Sequence, residues 1–592
     1  MVSAPAQARR NEPVIAAIAI GCFLASGAPS PNIVVILADD QGWGDLGIHG
    51  NTAARTPHLD SLARQGARFD RFFVQPVCAP TRAEFLTGRW HPRGGVHGVS
   101  TGAERLDLDE RTIADFLRQS GYATGCFGKW HNGSQFPYHP LGRGFGEYYG
   151  YTSGHWGDYY SPPLDHNGQA AKGQGFLTDD ITSHAIGFIG QQAKAGRPFL
   201  CYLALNTPHS PMQVPDPYWN RFKEAALPPV DSPGADIMHA RAALAMGENI
   251  DDNVGRLLGE LSARGIERDT IVVYFSDNGP NGARFNGGMR GIKGTTDEGG
   301  TRSPLFIRWP GRVPPGTVVK PIAGAIDLLP TLADLAGIRL PAHKPLDGVT
   351  LAPWVLGGGA PAPDRLLIAH WAGRTSARSQ THRLDAQGRL YDMDADPGQK
   401  TDISDREQAT KKRLADAVAR WRSTVLVETP LLDNRPFPVG HKALARAVLP
   451  ARDGVPRGGI RRSAQAPNCS YFTRWTKPED RMTWTVEAAE SGRYEAILHY
   501  SCPAKDVGSE VRLAFGDSIW KGAITVAHDP PARGDENDRV PRRGESLVKD
   551  FKIMSLGEVP LQAGKGSLEL SATRIPGTQV AEIRAVELVL KP

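Results

Sequence analysis

Short, almost wholly apolar runs at 32–38, 122–127, 198–205 and 270–275 alternate with amphipathic stretches at 108–120, 179–193 and 240–264. Runs apolar on both faces, separated by segments of helical period, predict parallel strands covered by helices on both sides. Each run ends in residues able to do chemistry: Asp39 and Asp40 after the first, Lys129 and His131 after the second, His209 after the third, Asp277 and Asn278 after the fourth. Ligands of open α/β sheets bind beyond the carboxyl ends of the strands, so these four segments nominate one shared site.

Past Leu335 the texture changes to Pro- and Gly-rich connections, with a strand near 389–393 and a helix over 406–426, which predicts a smaller α+β subdomain. Residues 431–468, rich in Pro, Arg and Gly, read as a linker. After Cys469 the pattern turns to period two, as in Met482-Thr483-Trp484-Thr485-Val486, with further runs at 494–500, 511–515 and 580–590. This predicts an all-β sandwich. The expected division is a signal peptide at 1–27, a large α/β domain at 28–340, the subdomain at 341–430, the linker at 431–468 and the sandwich at 469–592. Tyr471, Trp475, Trp484 and Trp520 would either stack on sugar rings, making the sandwich carbohydrate-binding, or fill its core.

The N-terminal expectation rests on Arg9 and Arg10, an apolar stretch over 14–24 and small residues through Ala28, with cleavage after Gly27. It implies export, periplasmic or secreted. Cys22 after Ala19-Ile20-Gly21 resembles a lipoprotein acceptor site and leaves an acylated anchor open. The stretch is too short to span a bilayer and no longer one follows, so no transmembrane helix is expected. A net charge of +5 over 592 residues, with scattered basic residues, argues against nucleic-acid binding. Of six cysteines, removal of Cys22 leaves an odd number. Cys126 and Cys201 read as buried thiols, Cys469 and Cys502 could pair, and Cys78 needs a separate task.

Asp39, Asp40, Asp277 and Asn278 offer oxygen ligands suited to a hard divalent cation, calcium and magnesium fitting equally by ligand type. Arg82, Lys129, His131, His209 and Lys293 around them imply an anionic substrate, a sulfuryl or phosphoryl group whose developing charge they would neutralise. Cys78 precedes Pro80, a residue suited to the first turn of a helix, so the thiol sits where the helix dipole favours an anion. A thiolate beside a hard cation is nonetheless a mismatched pair, and an exported reactive thiol is prone to oxidation. That cysteine is expected to be changed.

The run Cys78-Ala79-Pro80-Thr81-Arg82, followed by Leu86-Thr87-Gly88-Arg89, resembles the signature of the formylglycine-dependent sulfatases, within the alkaline phosphatase superfamily. Pro31 to Asp45, Thr56-Pro57-His58-Leu59-Asp60, Gly128-Lys129-Trp130-His131 and Thr207-Pro208-His209-Ser210-Pro211 resemble further segments of that family, in order. Ser276-Asp277-Asn278-Gly279, Arg290-Gly291-Ile292-Lys293 with Glu298-Gly299-Gly300-Thr301-Arg302, and Leu390-Tyr391-Asp392-Met393 continue the series to about Leu426. Thr81 and Ser303 depart from the commonest pattern but remove no ligand.

The resemblance implies an alkaline-phosphatase-like α/β fold with a central, mostly parallel sheet. It implies one Ca2+ ion held by Asp39, Asp40, Asp277 and Asn278, with Cys78 oxidised by a maturation enzyme to formylglycine (3-oxoalanine) and lying on the metal. The hydrated aldehyde would attack sulfur while Arg82 and Lys129 hold charge, His131 would take the proton that re-forms the aldehyde, and His209 with Lys293 would bind sulfate and assist the leaving alcohol. The implied substrate is a sulfated carbohydrate or aryl sulfate. Arg143, His155 and Trp156 are candidates for the substrate-binding rim. Two alternatives stand beside this reading: a phosphonate monoester or phosphodiester hydrolase of the same superfamily, and a non-catalytic glycan-binding protein.

Overall fold

The computed structural model describes residues 30–230, 235–359, 361–428 and 433–592, so the signal peptide expected at 1–27 lies outside the described residues. A ten-stranded mixed sheet organises the first part of the chain. Its centre is parallel: β1 (Asn32–Ala38) lies between β4 (Thr270–Ser276) and β3 (Phe199–Ala204), and β3 pairs in turn with β2 (Ala123–Lys129). These strands carry buried, largely apolar side chains on both faces because helices cover both sides of the sheet. One face receives α1 (Cys78–Thr87); the other receives α2 (Ile237–Ala263), capped at its start by the Asp236 carboxylate, which accepts from the Met238 and His239 amides.

The parallel register aligns Ala38 with Ser276 and Leu37 with Ala204, while Gly128 lies opposite Ala204. The polar residues that follow these strands therefore emerge at one end of the sheet. The helix expected over 108–120 is shorter, Ile113–Gln119, because Thr112 and Asp115 form a reciprocal capping box that starts it late and leaves Leu108 exposed.

A four-stranded antiparallel sheet (Leu367–Trp371, Arg374–Arg378, His382–Leu384, Leu390–Asp392) packs with the helix Gln408–Thr424 as the smaller unit. The C-terminal part is a sandwich of two six-stranded sheets around its own core.

Two expectations are corrected, and of the two readings of the sandwich tryptophans the core one holds. The segment 431–468 is no linker where it is described: Phe437–Val439 and Val455–Arg457 pair with Arg481–Ala488, while Arg446–Pro450 pairs with Glu582–Leu590. Its alternation is masked by Pro and Arg, since such short strands lie at sheet edges where Pro is tolerated. Cys469 and Cys502 are both free and buried; the Cys469 thiol faces the His155 carbonyl at 3.4 Å and the Cys502 thiol the Val580 carbonyl at 3.4 Å. Trp475, Trp484 and Trp520 fill the sandwich core, the latter two donating their indole N–H to the Pro450 and Tyr494 carbonyls, so they present no platform for sugar. Among the described residues no helix is long and apolar enough to cross a membrane.

Candidate active site

Cys78 opens α1, all ten residues of which are buried, so the thiol lies at a helix N-terminus inside the molecule rather than on its surface. One turn on, Arg82 is fully buried and donates through Nε and Nη2 to Asp277 Oδ2, at 3.1 and 2.8 Å, and through Nη1 to the Lys129 carbonyl at 2.8 Å. Lys129, at the end of β2, places Nζ 2.7 Å from Asp39 Oδ2. Lys293 places Nζ 2.7 Å from Asp40 Oδ1. Ligand atoms of Asp39, Cys78 and Asp277 all lie within 4.8 Å of one another, and so do those of Asp39, Asp40 and His209. Four strand ends, α1 and the loop bearing Lys293 thus converge on one point.

Two residues here hold left-handed backbones that side chains other than glycine rarely adopt, Asp40 at φ 72° and His131 at φ 65°. Asp40 is fixed by its amide donating to Asp277 Oδ1 at 3.1 Å, by Asn278 Nδ2 donating to its Oδ1 at 2.8 Å, and by Arg284 Nη2 donating to its carbonyl at 2.9 Å. His131 is hemmed by Gly154, where a Cβ would fall 2.1 Å from its Nε2, so only glycine fits.

Burial dominates the electrostatics. It raises the Asp39 carboxyl to about 6, with Asp40 and Cys78 adding to the effect and Lys129 and Arg82 opposing it. It works the same way on Asp40, but Lys293, His209 and Lys129 overcome it and hold that carboxyl well below the usual range. Burial, then Lys293, pulls His209 down to about 4, and burial with Lys129 pulls His131 well below its ordinary value. Both imidazoles are therefore neutral near pH 7. His131 Nε2 lies 2.8 Å from the Val99 carbonyl, to which it must donate, which leaves the buried, unpartnered Nδ1 as an acceptor.

A divalent cation fits this donor set. Asp39 Oδ1 and Asn278 Oδ1 are buried and accept no hydrogen bond, although buried oxygens are almost always satisfied. Asp39, Asp40, Asp277 and Asn278 present them in an oxygen-rich cluster, as a hard ion requires.

Of the rim candidates, the structure brings one to the site. The His155 ring lies 5.6 Å from that of His209, with both nitrogens buried and without a hydrogen-bond partner. Trp156, the next residue, turns away and stacks on Tyr151 at 5.1 Å. Arg143 is buried, and its Nη2 donates to the Asp107 and Glu110 carbonyls at 3.1 and 2.9 Å, tying down their loop. One residue escapes sequence reasoning altogether. Glu545, from the sandwich, accepts a hydrogen bond from the Ser210 hydroxyl and lies 3.8 Å from His155 Nδ1, beside His209. Its loop carries no motif, so nothing in the sequence marks it.

The family model described as Sulfatase matches residues 31–338, more than half of the chain. The chain belongs to the sulfatase family. This sulfatase is 33% identical over 380 residues to the N-acetylgalactosamine-6-sulfatase of Canis lupus familiaris, covering 58% of its own length and 69% of the relative's. It is 35% identical over 380 residues to the arylsulfatase A of Bos taurus, covering 58% and 71%. The crystal structure of Ps i-CgsB in complex with k-i-k-neocarrahexaose superposes with a TM-score of 0.61 at 29% identity, covering 66% of this sulfatase and 93% of that chain. The fold is thus the α/β architecture of the alkaline phosphatase superfamily, extended by a β-rich C-terminal part, and the sulfatase is a sulfuric ester hydrolase.

Proposed function

We propose that this sulfatase removes sulfate from a sulfated carbohydrate, with Cys78 converted to formylglycine as the nucleophile and Asp39, Asp40, Asp277 and Asn278 holding one calcium ion. The observation that carries the reading is the cluster itself: a helix-terminal Cys78 beside three carboxylates, with two buried oxygens left without donors and two lysines and an arginine wrapped around them. Bound calcium would act as a Lewis acid that neutralises an anionic ester. Formylglycine would supply an oxygen nucleophile in place of a thiol that suits neither the metal nor an oxidising compartment.

The chain's own groups have distinct tasks in this scheme. Arg82 and Lys129 hold charge at the sulfuryl oxygens and fix the carboxylates that face them. His131, neutral and with Nδ1 free to accept, takes a proton near residue 78. His209 and Lys293 flank Asp40 and face the departing alcohol. His155 belongs to the substrate-binding rim, whereas Trp156 and Arg143 stand apart from the sulfate pocket.

The carbohydrate assignment is supported by the name of one relative, an N-acetylgalactosamine-6-sulfatase, and by the oligosaccharide bound in one similar structure. The same reading takes residues 1–27 as an export signal, 28–340 as the catalytic domain with 341–430 as its subdomain, and a formylglycine-generating enzyme as an obligatory partner.

Peptide mass spectrometry across Cys78, on protein co-expressed with a maturation enzyme, tests the proposal alongside hydrolysis of p-nitrophenyl sulfate. A formylglycine mass, with sulfate release that Cys78→Ala abolishes, is expected. An unmodified Cys78 in an active preparation overturns the mechanism. Conversion with phosphonate or phosphodiester hydrolysis alone overturns the choice of ester.

A further inference from the structure

A cavity of about 460 Å3 lies behind the wall of the active site, between the α/β domain and the sandwich. Its volume is that of a ligand cleft, which typically measures roughly 300–1,000 Å3. The α/β domain contributes Phe136 and the segment from Gly150 to Asp158; the sandwich contributes the segment around Arg446 to Arg452, Val548 to Phe551, and Arg584. Phe136, Trp156 and Phe551 supply aromatic surface. Arg446, Arg452, Arg533, Lys549 and Arg584 supply cations, against the carboxylates of Asp158, Asp165 and Asp550.

Four of those cations have carboxylate partners: Arg446 meets Glu587 at 2.7 Å, Arg452 meets Asp453 at 2.7 Å, Arg533 meets Asp158 at 2.8 Å, and Lys549 meets Asp529 at 2.6 Å. Arg584 differs. Among the described residues no carboxylate forms an ion pair with it; it donates through Nη1 to the Ser470 carbonyl at 2.7 Å and has the Cys469 thiol for a neighbour. Its one favourable carboxylate, Asp453, acts only at longer range and is already engaged by Arg452 at 2.7 Å, and a guanidinium not held in a direct ion pair matches the paired oxygens of a sulfate or carboxylate. Aromatic planes beside such a cation suit the apolar faces of a sugar ring.

The cavity and the sulfate pocket share a wall. His155 looks toward His209, the adjacent Trp156 lines the cavity, and the Cys469 thiol donates to the His155 carbonyl between them. We propose that this cavity is a second carbohydrate-binding site, taking an anionic sugar unit whose sulfate ester or carboxylate is received by Arg584. The class of ligand rests on the sulfated-glycan reading above; the basic and aromatic lining does not. A polyanionic chain engaged here and at Cys78 would be held by two contacts, and the second would form at high effective concentration.

The test uses the full-length Cys78→Ala protein, titrated calorimetrically with sucrose octasulfate, with trigalacturonate and with sucrose, while amide hydrogen exchange locates the bound probe. Binding of at least one anionic probe and not of sucrose is expected, with protection of peptides covering 444–452 and 548–551. Adding Arg584→Gln should weaken that binding by about tenfold or more, as loss of a desolvated charge contact does. Adding Trp156→Leu should weaken it in the same direction, which keeps the test decisive if the arginine variant does not fold. Preference for one anionic probe identifies sulfate or carboxylate as the group received. Failure of both anionic probes to bind, protection confined to peptides around Cys78, Lys129 and Lys293, or affinity indifferent to both substitutions would overturn the proposal. Hydrolysis of p-nitrophenyl sulfate by the formylglycine-bearing enzyme is measured separately: its absence defeats the sulfatase mechanism while leaving the titration to judge the cavity.

Discussion

Lys293 and Glu298 are near neighbours in the chain, yet they belong to two buried charge clusters of opposite character. Around Asp39, Asp40 and Asp277 carboxylates are crowded, and Asp39 Oδ1, Asn278 Oδ1 and His131 Nδ1 have no hydrogen-bond partner. Around Glu298 the carboxylate is saturated: Arg383 Nη2 and Arg378 Nε approach Oε2 at 2.9 and 3.1 Å, and Arg302 Nη1 approaches Oε1 at 3.5 Å. Arg383 also donates to the Thr296 carbonyl and the Ser376 hydroxyl. Saturation fastens the four-stranded sheet to the α/β domain, whereas unsatisfied atoms mark a place kept ready for a ligand. Both clusters are largely buried; what separates them is that arginines take both oxygens of Glu298, whereas Asp39 Oδ1 and Asn278 Oδ1 accept nothing.

The contrast can be broken most strongly at Cys78. Cys78→Ala should reduce sulfate-ester hydrolysis by on the order of 10⁴-fold or more while the thermal melt stays near that of the parent. Glu298→Gln should do the reverse, lowering unfolding free energy by about 3–5 kcal/mol in denaturant melts because buried arginines lose their counter-charge, with activity per folded molecule retained.

Acid should act on the same carboxylate. Burial works to raise Glu298, but Arg378, Arg383 and Arg302 overcome it and hold the group at about 2, below its ordinary 4.5. A depressed carboxyl contributes stability above pH 4.5 that is lost as pH falls through 2, here about 3 kcal/mol. Denaturant midpoints measured across that window should show the loss, and Glu298→Gln should remove this component.

Chelation sharpens the other side of the comparison. Removing a divalent ion supplied at a hundredfold excess over its Kd should cost about 2.7 kcal/mol of apparent stability, with activity returning on re-addition of calcium. The smallest effect is expected from Arg143→Gln, about 1–2 kcal/mol from carbonyls left without a donor. kcat/KM for p-nitrophenyl sulfate should stay within about twofold, since no uniform binding contact is removed. A raised KM would return Arg143 to the substrate rim.

The strands that end in Asp39, Lys129, His209 and Asp277 were legible because apolar runs between helical segments have one stable arrangement, and that arrangement sends their ends to the same place. The N-terminal position of Cys78 in a helix was legible from Pro80 for the same local reason. Side-chain destinations were not. Arg143 and Glu545 are both charged residues in loops, and only the packing of distant segments turns the first toward backbone carbonyls and the second toward Ser210. The edge strands within 433–468 were hidden because Pro and Arg at a sheet edge look like a linker in sequence. Cys469 and Cys502 could not be unpaired by inspection, since their separation depends on which carbonyl each thiol meets.

The long loop between the strands Ser518–Ala523 and Lys552–Leu561 grips the segment that carries His209. Gln213 Nε2 donates to Asp538 Oδ1 at 2.9 Å, the Arg539 amide donates to the Met212 carbonyl at 2.9 Å, and Glu545 takes the Ser210 hydroxyl. The last quarter of the molecule is therefore no detachable passenger. An engineer who trims the enzyme to its family-matched portion, or grafts that portion onto another carrier, would be cutting a brace from beneath the histidine that lies 3.8 Å from Asp40.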